Sequence, residues 1–239
     1  MLNDRSTADE IVASGTRTAV LPIGSTEQHG AHLPVGTDNR IAGAVAAAFA
    51  ERTGAWLLPT LPISTCREHL GKKGSVGVTA ATFLALLKDI AASLEAEGFD
   101  RLVLVVGHGG VFVAGPATRE IDSDGGALKA VRVDLVAAME SSEAAAILDS
   151  RGNLHACEYE TSLMLHLDPT AVHMDRAVDC VPDAPRDALN YAPVFRFSPS
   201  GVWGNPTLAT KEKGERLFAV LVDWTVRYVA RVEGILGGR

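Results

Sequence analysis

The feature that most constrains the fold is the run Arg-Leu-Val-Leu-Val-Val at residues 101–106. It is apolar almost throughout, which is typical of a strand covered on both faces in a parallel sheet. Apolar segments at 20–24 and 128–135 predict an earlier and a later strand. Helical patterns alternate with these strands, so the chain is predicted to be an α/β layer protein with a mostly parallel sheet.

Five segments have helical composition or spacing. They are residues 41–52, 79–98, 112–121, 158–167 and 210–235. Residues 56–63 are expected to be extended but interrupted by prolines, and 183–200 to be irregular. Within the fourth helix, Glu158 is expected to be a solvated residue.

The charge balance and the cysteine usage exclude several classes of protein. The 239 residues carry a formal net charge of −7 without a basic block, which argues against nucleic acid or an anionic membrane as the main partner. The three cysteines are far apart and form no Cys-x-x-Cys pair, so a reducing cytoplasm is expected. No signal pattern and no membrane-spanning segment is recognisable, and a single domain over residues 1–239 is predicted.

The first polar cluster is Gly-Ser-Thr-Glu-Gln-His-Gly-Ala-His-Leu-Pro at residues 24–34, followed by Asp38. If the first strand continues to Glu27 and His29, both side chains leave the same face and can reach one metal ion or two neighbouring ions. Alternatively, Thr37 or Asp38 is only the N-cap of the next helix. Burying these carboxylates and imidazoles without a metal or mutual pairing costs several kcal/mol, so the cluster favours a metal site.

Two further segments carry candidate site residues. His108 lies in Gly-His-Gly-Gly after the strand at 101–106 and is a candidate metal ligand. The alternatives are a tight turn with an incidental histidine, or a phosphate-binding loop, for which the full glycine pattern is missing. His155 precedes the helix at 158–167, and Glu160 in its first turn could simply interact with the helix dipole.

Together these motifs resemble the creatininase (creatinine amidohydrolase) family. The resemblance also includes the Glu68-His69 pair and the segment Ser-Gly-Val-Trp-Gly-Asn-Pro-Thr at 200–207, and it spans most of the chain. It implies a three-layer α/β/α sandwich, homohexamers, and one or two divalent metals per chain: zinc, manganese or iron. Nitrogen and oxygen ligands suit these metals.

The resemblance also implies the ligand sets. Glu27, Asp38 and His108 would bind one metal. His29 and Asp38 would bind the second, with Asp38 bridging.

The resemblance assigns the remaining site residues as follows. His155 would be the active-site histidine, and Glu160 would complete the second metal or handle the proton. Glu68 and His69 are candidates for lining the substrate pocket, and Trp203 is the best aromatic candidate for its wall.

Two parts of the chain depart from the family pattern. The family's namesake enzyme has an acidic metal ligand two residues after the glycine-loop histidine, where this chain has Gly110. Lys72 and Lys73 stand in the segment that replaces the usual Phe-Pro-Gly-Thr. They form either a solvated turn or a positive charge near the pocket that favours an anionic substrate.

The expected function is that of an amidohydrolase that cleaves a C–N bond, other than a peptide bond, of a small cyclic amide or formamide with metal-activated water. Three alternatives remain open. They are a peptidase acting on a small precursor peptide, a ring-opening hydrolase or lyase of a cyclic carbohydrate ketone, and a metal-binding module without turnover.

Overall fold

Four parallel strands form the centre of the molecule, in the order β2-β1-β3-β4. In this computed structural model, which describes residues 1–237, the strands are β1 (Thr18–Ile23), β2 (Trp56–Leu57), β3 (Arg101–Val106) and β4 (Lys129–Asp134). Ile23 is level with Val106, and Val106 with Asp134, so three strands end together at the carboxyl edge of the sheet. That edge is where open α/β sheets bind ligands.

Eight helices accompany the sheet within the described residues. They are α1 (Ala8–Ser14), α2 (Thr37–Thr53), α3 (Ala80–Ala96), α4 (Ala114–Ser123), α5 (Leu135–Met139), α6 (Ser142–Ala145), α7 (Glu158–Leu167) and α8 (Lys211–Gly237). Short 3₁₀ turns include Arg67–His69, Arg186–Asn190 and Val194–Arg196. The last two residues of the predicted domain lie outside the described part of the chain. No helix from residue 1 to residue 237 combines the length and the apolar character needed to cross a membrane.

The sheet separates two apolar cores, because alternate residues of a strand point to opposite faces. Val103 and Val105 of β3 belong to the core beneath α2, α7 and α8, and Leu102 and Leu104 belong to the core beneath α3 and α4. Each residue of β3 after Arg101 is buried, as a strand covered on both faces requires. The three-layer α/β/α sandwich is confirmed.

Most predicted elements are found within a few residues of their expected bounds. The largest difference is at 56–63, where only Trp56–Leu57 is a strand and Leu61 makes an isolated bridge to Ile23. Pro59 and Pro62 have no backbone N–H for a continuous ladder. The short helix α1 was not predicted from the sequence, although Thr7 and Glu10 form a capping box at its start.

The prediction that Glu158 is solvated is wrong. Its side chain is fully buried and accepts hydrogen bonds from Lys213 Nζ and from the backbone N–H groups of Asp149 and Ser150. The reason is the close packing of α8 on α7. A Cβ at Gly214 would lie only 1.8 Å from the Ser162 carbonyl oxygen, so a glycine is needed at this crossing.

Candidate metal centre

Glycines at the ends of β1 and β3 allow the start of α2 to pack against the sheet edge. A Cβ at Gly24 would lie 2.6 Å from the backbone nitrogen of Asn39, which is closer than a side chain tolerates. A Cβ at Gly107 would lie 3.0 Å from the Asp38 carbonyl oxygen, which is a tighter contact than most. The two strand ends therefore bring the buried Asp38 to the same point as His108, which directly follows Gly107.

Glu27 and His29 reach the site from a loop and not from a continued strand. β1 ends at Ile23, and His29 pairs with Leu33 across a turn in which Gly30 has φ +66°. The alternative of an Asp38 or Thr37 N-cap is also wrong. The N-cap of α2 is Gly36, and the helix has no side-chain cap hydrogen bond.

Glu27 lies between two histidines. Its Oε2 is 3.1 Å from His108 Nε2, and its Oε1 is 3.2 Å from His69 Nε2. These three residues form one group whose ligand atoms all lie within 4.8 Å of one another. The other ring nitrogen of His108, Nδ1, is 3.3 Å from Asp38 Oδ2.

A second group of potential ligands contains His29, Asp38 and Glu160. His29 Nε2 is 3.1 Å from Asp38 Oδ1 and 4.0 Å from Glu160 Oε1. His29 Nδ1 lies 3.1 Å from the Glu27 carbonyl oxygen, the contact that commonly orients a metal-binding imidazole. The two oxygens of Asp38 thus face different histidines, an arrangement suited to a carboxylate that bridges two ions.

His155 joins the same cluster, in a third group with Glu27 and His29. Its Nδ1 is 3.6 Å from Glu27 Oε1, and its ring centroid is 4.3 Å from that of His29 and 4.1 Å from that of His69. The following residue, Ala156, is the one non-glycine residue with positive φ (+48°) in the described chain. This backbone turn directs His155 inward just before α7 begins.

The donor atoms of this cluster fit a divalent cation. Both carboxylate oxygens of Glu27, Oδ2 of Asp38 and Nε2 of His108 are buried without a hydrogen-bond partner within the described residues. Unpaired buried polar atoms are costly, and cations bound in this cluster would satisfy them. Ligands that bind one ion at about 2.0–2.2 Å are roughly 3–3.5 Å apart, which the contacts of Glu27 with His108 Nε2 and His69 Nε2, at 3.1 and 3.2 Å, match. Asp38 Oδ2 contacts the other ring nitrogen of His108, and Asp38 groups with His29 and Glu160.

Burial and mutual charge shift the titration of the cluster before any cation binds. Burial raises the pKa of Glu27 to about 8. Burial alone would lower the pKa of His29, but Asp38 and the neighbouring carboxylates outweigh it and raise the pKa to about 10. Burial lowers the pKa of His69 to about 3 and that of His155 well below its usual value. The last two histidines are therefore neutral at pH 7.

A cavity of about 740 Å³ opens directly over the cluster. Among the expected pocket residues, Glu68 and His69 line it, together with His108, His155 and Glu160. Trp203 does not. It lines a second cavity of about 560 Å³, and its backbone pairs with that of His155.

Neither cavity is lined by Lys72 or Lys73. The Lys72 ammonium instead lies 5.5 Å from the centre of the Phe195 ring.

Gly110 leaves space for a carboxylate from elsewhere in the chain. A Cβ at Gly110 would lie 1.8 Å from Glu68 Oε1 and 2.4 Å from His108 Nε2. Glu68 Oε1 is itself 3.4 Å from His108 Nε2. An acidic group thus stands beside His108 even though residue 110 has no side chain.

Sequence reasoning missed three residues that contribute to this region. Gln28 contacts two of the histidines, and Tyr159 and Arg186 line both cavities. No chemical signal pointed to Tyr159 or Arg186, because neither belongs to a recognisable ligand spacing. Gln28 lies between two candidate ligands, and that position was the available signal.

The fold and the buried carboxylate–histidine cluster define an α/β protein with a metal-type centre at the carboxyl edge of its sheet. The family model "Creatininase: Creatinine amidohydrolase" matches residues 4–229, and the chain belongs to the creatininase family. It is 37% identical over 224 residues to the mycofactocin precursor peptide peptidase of Mycobacterium ulcerans (strain Agy99), covering 89% of this chain and 84% of that relative.

A second relative and a solved structure agree with this membership. The chain is 30% identical over 232 residues to the creatinine amidohydrolase of Pseudomonas putida, covering 89% of this chain and 88% of that protein. The solved structure named "Creatininase Mn" superposes with a TM-score of 0.83 at 27% identity, covering 96% and 98% of the two chains. The relatives are named as a peptidase and an amidohydrolase, so the chain has the fold of a hydrolase family.

Proposed function

We propose that this protein is a divalent-metal-dependent hydrolase that cleaves an amide C–N bond. The observation that carries the proposal is the set of four unpaired, buried donor atoms on Glu27, Asp38 and His108, beneath an open cavity. The names of two relatives, a peptidase and an amidohydrolase, support amide cleavage.

The residues that would hold the metal are those around the two oxygens of Asp38. Glu27 and His108 lie on one side of it, and His29 and Glu160 lie on the other. A divalent cation bound there supplies a Lewis acid for the carbonyl and lowers the pKa of a bound water. Zinc, manganese and iron all accept such a set of nitrogen and oxygen ligands, and the manganese-named relative supports this choice.

His155 is the residue proposed to move the proton. It is buried and neutral at pH 7, and its Nδ1 faces the cluster 3.6 Å from Glu27 Oε1. In this position Nδ1 accepts a proton from the attacking water and passes it to the leaving nitrogen. Glu160 stays beside His29, where it completes the ligand set.

The first substrate class is a small cyclic amide or a formamide. Either fits a cavity of about 740 Å³ with room to spare. A second class, an amide bond within a peptide, is favoured by the neighbourhood of the two cavities. They share the wall residues Val136, Leu154, Tyr159 and Arg186, so a second concave surface lies next to the one over the cluster and could hold the residues that flank the cleaved bond.

The decisive experiment compares zinc-loaded, manganese-loaded and chelated protein on creatinine, N-formylglycine and a hexapeptide capped at its N-terminus. Conversion of creatinine to creatine, release of formate from N-formylglycine, or a new amino group from the peptide is the expected result with the loaded protein, and chelation should abolish it. His108→Ala should lose metal and activity together. A fully metallated and active His108→Ala variant, or no cleavage of any of the three compounds, would overturn the proposal.

Homo-oligomeric assembly, as a hexamer, is proposed from the family resemblance alone. Light scattering coupled to size-exclusion chromatography tests it directly. A mass near that of one 25.1 kDa chain would reject it.

A further inference from the structure

Gln28 is a buried residue whose side chain lies between two active-site histidines. Its Nε2 is 3.1 Å from His69 Nδ1, 3.2 Å from His155 Nε2 and 3.3 Å from the Gly201 carbonyl oxygen. Its Oε1 accepts a hydrogen bond of 3.0 Å from the Gly30 backbone N–H. Nothing in the proposed hydrolysis explains why a neutral amide occupies this place in a centre made of ionisable groups.

The surrounding backbone fixes the orientation of this amide. The Gly30 N–H can only donate, so the amide atom facing it must be the oxygen. The Gly201 carbonyl can only accept, so the atom facing it must be the nitrogen. A 180° flip of the amide would break both contacts.

His69 therefore has a determined tautomer. The amide nitrogen of Gln28 only donates, so Nδ1 of the neutral His69 ring accepts. The ring proton is then on Nε2, which lies 3.2 Å from Glu27 Oε1. His69 therefore carries its proton on the ring nitrogen nearest this carboxylate, although the contact does not have hydrogen-bond geometry.

His155 is fixed by the same residue through its backbone. Nε2 of His155 lies 2.7 Å from the Gln28 carbonyl oxygen, which can only accept, so Nε2 carries the proton. The Gln28 amide nitrogen has only two hydrogens, and His69 Nδ1 and the Gly201 carbonyl oxygen accept them, so its 3.2 Å approach to His155 Nε2 is not a hydrogen bond. Nδ1 is then the bare nitrogen, and it faces Glu27 Oε1 at 3.6 Å. Gln28 thus leaves one histidine as a donor and the other as an acceptor on the two sides of one carboxylate oxygen.

We propose that Gln28 is a positioning residue for both histidines. Its side-chain amide fixes the tautomer of His69 and its backbone carbonyl fixes that of His155, so that His69 carries its proton, and His155 its lone pair, on the nitrogen nearest Glu27. The proton-accepting role of His155 rests on the proposed function. The tautomers themselves do not, because they follow from contacts within this chain.

Gly201 gives independent support for the placement of the amide. Its φ is +81°, and a Cβ there would lie 2.1 Å from Gln28 Oε1. A side chain at 201 would push the amide away from both histidines. Gly201→Ala is therefore a second way to disturb the same contacts while Gln28 itself is retained.

The test is a long-range ¹H–¹⁵N NMR spectrum of ¹⁵N-histidine-labelled protein, recorded on the chelated and the zinc-loaded forms. Signals are assigned with His69→Gln and His155→Gln. In the chelated wild type, both rings are expected to be neutral with the proton on Nε2. In Gln28→Glu, the new carboxylate accepts instead of donating, so His69 should shift its proton to Nδ1 or become doubly protonated.

Activity provides the second readout. Gln28→Met and Gly201→Ala should mix the tautomers of His69, lower kcat by about tenfold or more and leave KM within about threefold, because they disturb the proton nearest Glu27 and not substrate contacts. The His155 tautomer should be retained, since the backbone carbonyl that fixes it is still present. Ser75→Ala is the matched control. Its hydroxyl accepts from the Gln28 backbone N–H, at 3.1 Å, but its only part in this network is that backbone contact. It should change neither tautomer.

Two results would overturn the proposal. One is a wild-type spectrum with the His155 proton on Nδ1. The other is a folded Gln28→Met variant in which the His69 tautomer is unchanged. The wild-type spectrum decides the question even if the substituted proteins fail to fold. If the wild type is active but Gln28→Met leaves the His69 tautomer unchanged, only the role of Gln28 is refuted. If the tautomers are as expected but no amide is cleaved, only the proposed hydrolysis is refuted.

Discussion

Replacing Glu27 with glutamine should stabilise the metal-free protein and destabilise the metal-loaded protein. The carboxylate is buried, and neither of its oxygens has a hydrogen-bond partner within residues 1–237. Burial raises its pKa from 4.5 to about 8. A glutamine of the same shape resembles the neutral acid, which is the form that the empty site prefers at pH 7.

The magnitude follows from the two pKa values. At pH 7 the unfolded chain is ionised at this residue, and the folded, metal-free chain is mostly neutral. In the unfolded chain Glu27 ionises above pH 4.5, so keeping it neutral in the folded state at pH 7 costs about 3 kcal/mol of stability. Glu27→Gln removes this cost, so the Tm of the chelated protein should rise by up to about 6–12 °C.

The upward direction of the Glu27 pKa shift also predicts how the stability of the metal-free protein depends on pH. Between pH 4.5 and pH 8 the folded metal-free wild type binds one more proton at Glu27 than the unfolded chain does. Its stability therefore falls as the pH rises through this window, and Glu27→Gln should lack this contribution to the slope.

The loaded protein should respond in the opposite direction, since a neutral amide is a poorer ligand than a carboxylate. A hundredfold loss of affinity, at a metal concentration well above Kd, removes about 2.7 kcal/mol of metal-linked stability. Differential scanning calorimetry with EDTA and with zinc measures both effects. Glu51→Gln, on the exposed surface of α2, is the control and should be neutral in both states. Equal destabilisation of both states by Glu27→Gln would mean that this carboxylate is structural.

Two other substitutions test the surroundings of the centre. Gly110→Ala should displace the Glu68 carboxylate and the His108 ring, which a Cβ would approach to 1.8 and 2.4 Å, and weaken metal affinity by about tenfold or more in a chelator-competition titration. Glu158→Ala should lower the free energy of unfolding in urea by about 3 kcal/mol, because it leaves Lys213 without its buried partner.

Each of these has a matched control. Gly109→Ala lies in the same loop, but its Cβ would meet only the movable end of the Arg186 side chain at 3.0 Å, so metal affinity should be retained. Equal effects at 109 and 110 would contradict the role given to Glu68. Glu143→Ala breaks an exposed pair with Arg227 and should cost less than about 1 kcal/mol. A similar cost for Glu158→Ala would mean that burial of the Lys213 pair contributes nothing.

The layered fold was predictable because its signals are local. The apolar run at 101–106 became β3 with the same bounds, and residues 158–167 became α7 with the same bounds. Where local signals were weak, the predictions failed. The prolines near residue 60 left only a two-residue strand, and the seven-residue helix α1 has no buried residue whose spacing could reveal it.

The candidate metal ligands could be named from the sequence, but the reason for their convergence could not. The predicted route was a strand that carries Glu27 and His29 on one face. The observed route is a loop that turns at Gly30 and folds back, while glycines let α2 pack on the strand ends. Close approach of two backbones depends on segments far apart in the chain, so no local pattern reports it.

The sequence by itself determined the α/β class, the mostly parallel sheet and the types of ligand atom available, because periodicity and residue chemistry act over a few neighbouring residues. Only the tertiary structure decided which atoms face one another. It buried Glu158 against Lys213, moved Trp203 to a second cavity, and set Gln28 between His69 and His155. Hydrogen bonds and metal coordination depend on the distance and direction between atoms in space. In this protein the residues that make such contacts are up to 173 positions apart in the chain.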